Sequence, residues 1–444
     1  MEIYPVKGTH DLFDEEANLY RDIESRCMFV AAMFNYHEIR TPIIEHTNLF
    51  VRGVGDSSDI VNKEMYTFED KGGRSVTLRP ELTAGIMRSI VSNKLYANAD
   101  LPLKYFYLGP CFRYERPQAG RYRQFSQFGI EAIGVNSYIQ DAEVISLGYR
   151  VLNLLGIDNV KVLVNSLGDE ESRANYRQAL KEYFAKHIEN MCGDCKRRFE
   201  TNPLRILDCK VPEDQEIIKN APKMSDYLSD ASKLYLNNVI SLLKEIGIEV
   251  IQDDNLVRGL DYYTGVVFEY HAEKVPGLDN VGALGGGGHY ANLLKELGGP
   301  DLEGVGLAFG IERLAYVSSH VTDTPHNFGP DLYVIGMSQE IIDKNFSLCE
   351  ILRSNGFMVD SNYEVKSMKS LLKTAVKKNA KFALILGEDE VMKGQVTAKN
   401  LRTQEQTSIK LDDMTRVLRD LVSEERNREL EESEVGEEYG KNML

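Results

Sequence analysis

The sequence predicts an α+β fold: an antiparallel sheet flanked by helices, carrying a mainly helical insertion and followed by a C-terminal α/β unit. Three stretches predict it. Residues 104–134, KYFYLGPCFRYERPQAGRYRQFSQFGIEAIG, hold two strand-like runs, 104–114 and 124–134, around a polar loop rich in Arg with Gly and Pro, as a long antiparallel hairpin does. Residues 169–250 are charged and place apolar side chains at helical spacing, first Tyr176, Leu180 and Phe184, later Leu234, Leu236, Val239 and Leu243. Beyond residue 330, DLYVIGM, FMVDSN and FALILG alternate with amphipathic helices, the order of a small α/β unit with a parallel or mixed sheet.

Composition fits this organisation. A chain of 444 residues is too long for one ordinary core and suggests roughly two to four domains. No apolar run approaches the ~20 residues of a membrane span, and the opening MEIYPVKGTHDLF lacks the apolar core of a signal peptide, so a cytoplasmic protein is expected, with no membrane partner. Six scattered cysteines make no disulfide framework and fit a reducing compartment. With 52 Lys+Arg against 68 Asp+Glu the formal net charge is −16, at first sight unfavourable for a nucleic-acid partner. Binding depends on local patches, however, and residues 365–402 carry nine Lys/Arg against three acids, whereas 423–444 carry three against eight.

In chain order, residues 14–34 set Ala17, Tyr20, Ile23, Cys27, Val30, Ala31 and Phe34 at helical spacing behind Asp14, with acids in the first turn. A short strand near 36–41 then runs into Pro42, tolerated at a strand end. Residues 65–68 and 75–78 read as a hairpin around Lys71-Gly72-Gly73. In LRPELTAGIMRSIV, Pro80 at the mouth of a helix with Glu81 and Thr83 in its first turn is good N-terminal capping chemistry. Along the second strand of the central hairpin, alternation turns Phe128, Ile130 and Ala132 toward a core and Phe125, Gln127, Gly129 and Glu131 away from it. An aromatic ring, an amide, a missing side chain and a carboxylate suit a ligand site better than a packed interior. Arg113, Arg116, Arg121 and Arg123 crowd around them, and a guanidinium forks onto two phosphate oxygens; composition alone leaves a solvated hairpin equally open.

Residues 138–155 read as another amphipathic helix and 160–168 as a strand. Within the insertion, CGDCKRRFETNPLRILDC groups Cys192, Cys195 and Cys209. The C-x2-C spacing suggests zinc, but a closed site needs four ligands and no second C-x2-C or paired His follows, so small buried thiols are the default and no metal ligand is assigned. LVRGLDYYTGVVFEYH, 256–271, is a strand with alternating Val266, Phe268 and Tyr270, behind a Gly-hinged turn carrying Arg258, Asp261, Tyr262 and Tyr263. ALGGGGHYANL, 283–293, has four consecutive glycines, costly in backbone entropy and suited to a loop that approaches a ligand closely, without the G-K-[ST] ending of a P-loop. VGLAFGIERLAYV, 305–317, is a buried strand turning at Gly310 into a helix that begins Ile311-Glu312-Arg313. In the C-terminal unit Lys366, Lys369, Lys373 and Lys377 fall on one helix face, for which solvation is the usual explanation.

Several of these strings together resemble one family. Phe112-Arg113-x-Glu115, a loop and Arg121-x-x-Gln124-Phe125 look like motif 2 of the class II aminoacyl-tRNA synthetases, and Gln127, Gly129 and Glu131 narrow the likeness to the histidyl-tRNA synthetases. The strand before Pro42 resembles motif 1, and 305–317 resembles motif 3. R-P-E-x-T at 79–83 and R-G-L-D-Y-Y-T-G at 258–265 resemble histidyl signatures. Where the family usually reads G-G-G-R-Y-D-G-L, this chain has His289 for the Arg and Ala291 for the Asp, and keeps Tyr290.

The resemblance implies a class II synthetase antiparallel sheet of six strands flanked by helices. Its catalytic domain would span 1–168 and 251–317, interrupted by a helical domain at 169–250 and followed by a linker at 318–330. An α/β anticodon-binding domain would occupy 331–422, and an acidic, disordered tail 423–444. It implies ATP-dependent ligation of L-histidine to tRNA(His) through a histidyl-adenylate, with ATP and Mg2+, in a homodimer joined through the motif 1 region. Roles follow as well. Arg258 and Arg113 would be catalytic at the α-phosphate. Histidine would meet Arg113 and Arg258, Glu81 and Thr83 at its amino group, and Gln127, Glu131, Tyr262, Tyr263 and Tyr290 at its side chain. ATP would be held by Arg113, Glu115 and Arg121, its adenine between Phe125 and Arg313. A relative such as the regulatory subunit of ATP phosphoribosyltransferase would be expected to lose the ATP-gripping arginines and the C-terminal domain, and both are present. A purely structural nucleic-acid-binding protein would give Glu131 and the R-G-L-D-Y-Y string no purpose.

Overall fold

The structure, a computed structural model, describes residues 3–55, 58–97, 99–118, 120–272, 275, 282–321 and 329–432. It divides into two compact units, one of residues 1–13 and 19–323, the other of residues 324–444 with 14–18.

The first unit is built on an eight-stranded sheet. In chain order its strands are β1 (His37–Glu38), β5 (Leu103–Phe112), β6 (Gln124–Ile133), β7 (Val160–Ser166), β8 (Val250–Gln252), β9 (Val266–Ala272), β10 (Ala283–Tyr290) and β11 (Gly304–Gly310). They lie side by side in the order β1-β5-β6-β11-β10-β9-β7-β8. The six inner strands are antiparallel, and the short edge strands β1 and β8 run parallel to their neighbours. A small sheet of β2 (Ile44–His46), β3 (Tyr66–Glu69) and β4 (Ser75–Leu78) stands beside it in sequence, its hairpin closed by Asp70, which accepts from the Gly72 and Arg74 backbone N–H groups.

Strand alternation sorts the side chains of the main sheet. Phe128, Ile130 and Ala132 of β6, Phe268 and Tyr270 of β9, and Val305, Leu307 and Phe309 of β11 join one core with Val144, Ile145, Val151 and Leu152 of the helix Tyr138–Leu154 and Ile23, Cys27 and Val30 of the helix Asp14–Met33. Two expectations change here. The helix Asp230–Glu245 gives Leu236, Val239 and Leu243 to this same core, and β8 joins the main sheet, so the independent core of the insertion runs only from Tyr176 to Leu228. The four glycines are also no loop: Gly285–Gly288 are the middle of β10, paired on both sides. A Cβ on Gly287 would stand 1.8 Å from the Gly306 carbonyl, so the backbones themselves occupy the space a side chain would need.

The C-terminal unit is a mixed sheet, β13-β12-β14-β15-β16, of β12 (Leu332–Gly336), β13 (Val359–Ser361), β14 (Phe382–Leu386), β15 (Gln395–Asn400) and β16 (Gln406–Lys410). The first three are parallel and the last two antiparallel. Lys369, Lys373 and Lys377 are exposed on the helix Met368–Lys377, and Lys366 precedes it. The helix Met414–Glu432 runs through the first ten residues of the expected disordered tail. Glu425 is buried in it and accepts from Asn400 and Arg402, while Arg426 forks onto the buried Asp331. Residues 318–321 of the expected linker continue the helix Ile311–Val321; 322–328, and 433–444 of the tail, lie outside the described residues.

Candidate active site

A cleft of about 500 Å3 opens on the sheet face opposite the helix Tyr138–Leu154. Glu81, Thr83, Arg113, Glu115, Arg121, Phe125, Gln127, Glu131, Arg258, Tyr262, Tyr263, Tyr290 and Arg313, gathered from segments far apart in the chain, all line it.

Glu131 forms its floor. It is 1% exposed and lies across from Gly306 of β11, where a Cβ would stand 2.0 Å from its carboxylate. The Thr83 hydroxyl donates to Oε1 at 2.7 Å, the Tyr290 hydroxyl to Oε2 at 2.8 Å, and the Tyr107 hydroxyl to Oε1 at 3.3 Å. Burial pushes its pKa up to about 8, against the hydroxyl donors that favour the ionised form. Aromatic walls rise beside it, with the Tyr262 ring 4.6 Å from Tyr263 and edge-on to Tyr290 at 5.8 Å. Glu81 is also buried and caps the helix Thr83–Ser92, accepting from the Thr83 and Ala84 N–H groups at 2.7 and 2.8 Å. Burial raises its pKa too, with those N–H groups working the other way.

Cations line the upper part. Arg113 donates from Nε to the Pro80 carbonyl at 2.8 Å, and its guanidinium lies 5.2 Å from the Phe125 ring. Arg121 stands 3.8 Å from Glu115. Arg313 donates to the Ala283 carbonyl at 2.8 Å. Gln127 accepts from the Cys111 thiol at 3.4 Å. Arg258 pairs through Nη1 with Glu269 of β9, while its buried Nε has no hydrogen-bond partner among the described residues. The missing side chain of Gly286 leaves it room, since a Cβ there would stand 3.0 Å from Nη1.

The cleft is also lined by residues that the sequence motifs do not single out, among them Glu64, Tyr107, Glu269, Glu312 and Arg205. Glu312 accepts from the Ser126 N–H at 2.8 and 3.0 Å, tying the helix after β11 to β6, and burial pushes it up to about 7. Arg205 reaches in from the insertion to the Gly259 carbonyl and stands 3.4 Å from Asp261, bracing the turn that presents Arg258.

His289 faces away from the cleft. Its Nδ1 lies 3.1 Å from Asp141 and its Nε2 2.7 Å from Glu303. Burial opposes its charge, yet the two carboxylates outweigh that and raise its pKa to about 9. The unusual His for Arg therefore still places a cation between these acids, and Ala291 follows the strand without lining the cleft.

The family model for histidyl-tRNA synthetase matches residues 8–314, and that for an anticodon binding domain matches 331–421. The histidine--tRNA ligase of Geobacillus sp. (strain WCH70) is 46% identical over 418 residues, 94% of this chain and 99% of that protein. That of Bacillus subtilis (strain 168) is 45% identical over 414 residues, 93% of this chain and 97% of the relative. Among solved structures, apo histidyl-tRNA synthetase from S. aureus matches with a TM-score of 0.79 at 37% identity, covering 94% of this chain and all of that one.

Proposed function

The chain belongs to the histidyl-tRNA synthetase family, and from that premise we propose how its cleft performs the family's reaction. It ligates L-histidine to tRNA(His), using ATP and passing through a histidyl-adenylate, with release of pyrophosphate and AMP.

The histidine imidazole meets Glu131, with Gln127, Tyr262, Tyr263 and Tyr290 around it, and the ammonium group lies toward Glu81 and Thr83. A buried carboxylate facing a ring N–H discriminates sharply, because an amino acid without that donor leaves it unpaired. The histidine carboxylate oxygen attacks the α-phosphorus, and the bond to the pyrophosphate breaks. Negative charge grows on the five-coordinate phosphorus, where Arg113 and Arg258 approach from opposite sides. Arg121 holds the terminal phosphate, with Glu115 beside it. Phe125 and Arg313 enclose the adenine. A hydroxyl of the terminal ribose of tRNA then attacks the acyl carbon and AMP leaves. Burial holds the Glu64 carboxyl above the usual carboxylate range, with the Glu115 charge adding to it, and these two cleft carboxylates would suit Mg2+ beside the phosphates, where the ion would offset negative charge.

The C-terminal unit, with its lysine-bearing helix, takes the anticodon end of the tRNA. A second copy docks on the motif 1 region, where Phe29, Met33, Ile43 and Ile44 are exposed apolar side chains. We assign the enzyme to the cytoplasm, where tRNA, ATP and histidine meet.

The observation that carries the catalytic reading is Glu131, held by three hydroxyls, in one cleft with Arg113 and Arg258. The test is ATP–pyrophosphate exchange with each of the twenty amino acids. Exchange with histidine alone is expected; exchange driven equally well by an amino acid lacking a ring N–H would overturn the assignment of the floor.

A further inference from the structure

Outside the cleft, one side-chain cluster has the make-up of a metal site. Cys192 and Cys195 open the helix Gly193–Thr201, Cys209 follows the short helical segment Pro203–Asp208, and Asp214 sits in the first turn of the helix Pro212–Ile218. One ligand atom from each, three sulfurs and a carboxylate oxygen, all lie within 4.8 Å of one another. The fourth ligand is thus an acid five residues beyond Cys209, outside the Cys and His spacings of a C-x2-C pattern.

The spacing is that of ligands around an ion. Zn–S bonds of ~2.3 Å at tetrahedral angles set sulfurs ~3.8 Å apart. The Cys192 and Cys209 sulfurs are 3.8 Å apart, and Cys209 Sγ is 3.1 Å from Asp214 Oδ2. A disulfide, at ~2.05 Å, is far shorter. The outer contacts suit charged ligands. Cys192 Sγ accepts from the Cys195 backbone N–H at 3.4 Å, and the Cys192 N–H donates to both Asp214 oxygens at 3.2 Å. Cys195, Cys209 and Asp214 are buried, and half-buried Cys192 leaves a route in from solvent.

We propose that Cys192, Cys195, Cys209 and Asp214 bind one zinc ion as a closed structural site. Three thiolates select a soft ion over Mg2+ or Ca2+, and zinc tolerates the single oxygen. On binding, three thiol protons pass to solvent and nothing is oxidised or reduced. The insertion core is small, and the ion would staple it. It would also close the loop from Cys195 to Cys209, which carries Arg205 to the Gly259 carbonyl and Asp261. The ion thereby steadies the turn that presents Arg258, a consequence that rests on the catalytic reading above; the site itself does not.

The test uses the full chain, purified under reducing conditions without added metal. Elemental analysis should find one zinc per chain. After chelation under reductant, Co2+ should restore a thiolate charge-transfer band and the strong visible bands of a tetrahedral ion, both bleached by one equivalent of Zn2+. Cys192→Ser and Cys209→Ser should abolish these bands. Asp214→Ala should hold cobalt at least about tenfold more weakly, the loss that even an outer partner brings. Cys349→Ser, in the other unit, should change nothing. If a variant misfolds, the wild-type titration still decides. A wild-type chain that takes up no stoichiometric zinc and gives no cobalt–thiolate bands would overturn the proposal. So would a disulfide between two of these three cysteines in the chain as purified, located by peptide mapping after thiol alkylation. None of these readouts involves histidine or ATP, so this proposal and the catalytic one can fail separately.

Discussion

Glu131 sits where its own charge is disfavoured, and that fixes how binding should respond to pH. Its pKa, raised to about 8, lies above the usual carboxylate value, so its contribution to stability is complete below about pH 4.5 and lost as pH rises through 8. Free histidine carries a neutral ring above about pH 6.5. Between about 6.5 and 8 the protonated carboxyl and neutral imidazole together hold the one proton an ion pair needs. Below this window the pair must shed a proton, and above it must take one up. Histidine affinity should therefore be flat across the window and fall on both sides, with proton exchange changing sign, as calorimetry in two buffers would measure. Glu131→Gln should lose ~1.5–3 kcal/mol, about 10- to 150-fold in affinity, and both limbs of the profile. Arg258 acts at a different stage. Arg258→Ala should slow adenylate formation by ~10²- to 10³-fold with little change in the KM for ATP, since its charge matters most as the phosphorus becomes five-coordinate. Single-turnover quench-flow would separate that step from transfer to tRNA, and a change confined to KM would make Arg258 a binding residue. His289 belongs to stability. Its pKa is raised above 6.5, so its contribution is full below about pH 6.5 and lost as pH climbs through about 9. His289→Ala leaves Asp141, 1% exposed, facing no cation among the described residues, a loss of up to ~3–5 kcal/mol at pH 7, less because Glu303 is a third exposed. His289→Arg should match the wild type at pH 7 and exceed it at pH 10 in urea unfolding.

At the scale of elements, the sheet makes the site through its glycines. Gly306 lies under Glu131, so Gly306→Ala must push the carboxylate aside, an overpacking of ~1–3 kcal/mol. The expected outcome is a raised KM for histidine with the KM for ATP nearly unchanged; equal effects on both would mean that the strand, and not the carboxylate, had moved. The β5–β6 hairpin was legible because a period of two sorts Phe128, Ile130 and Ala132 from Phe125, Gln127 and Glu131 without knowledge of any partner. The same parity, carried into β9, puts Glu269 opposite in sense to Phe268 and Tyr270, and in β5 it sets Tyr107 across from Gly129; both could have been found. Arg205 could not, because helical spacing in the insertion says nothing of a carbonyl 54 residues further on. The helix Asp230–Glu245 misled for a related reason. Periodicity reports that a face is buried, not which core buries it. The glycine run misled because glycine disfavours strands, and only the neighbouring backbones explain it here.

At the scale of the whole molecule, the two units can be separated by experiment. Removing 326–444 should abolish efficient tRNA charging while histidine-dependent exchange survives; undiminished charging would remove the anticodon role of the C-terminal unit. Within that unit the harmless cut lies after residue 432. Deleting 433–444 takes away little apolar area and should leave the melting temperature unchanged. Deleting 423–444 removes Glu425 and Arg426 from Asn400, Arg402 and Asp331 and should lower it. The strand order has one more consequence, felt while the chain is being made. β5 and β6 leave the ribosome together and can pair at once, but β6 finds its other neighbour, β11, only some 170 residues later. At ~5–20 residues per second that is about 10–30 s during which a ten-residue strand offers an unpaired edge to whatever is near. Nascent chains stalled between residues 140 and 300 should accordingly aggregate or recruit chaperones far more than chains stalled beyond 350, when the missing strand has emerged and closed the edge.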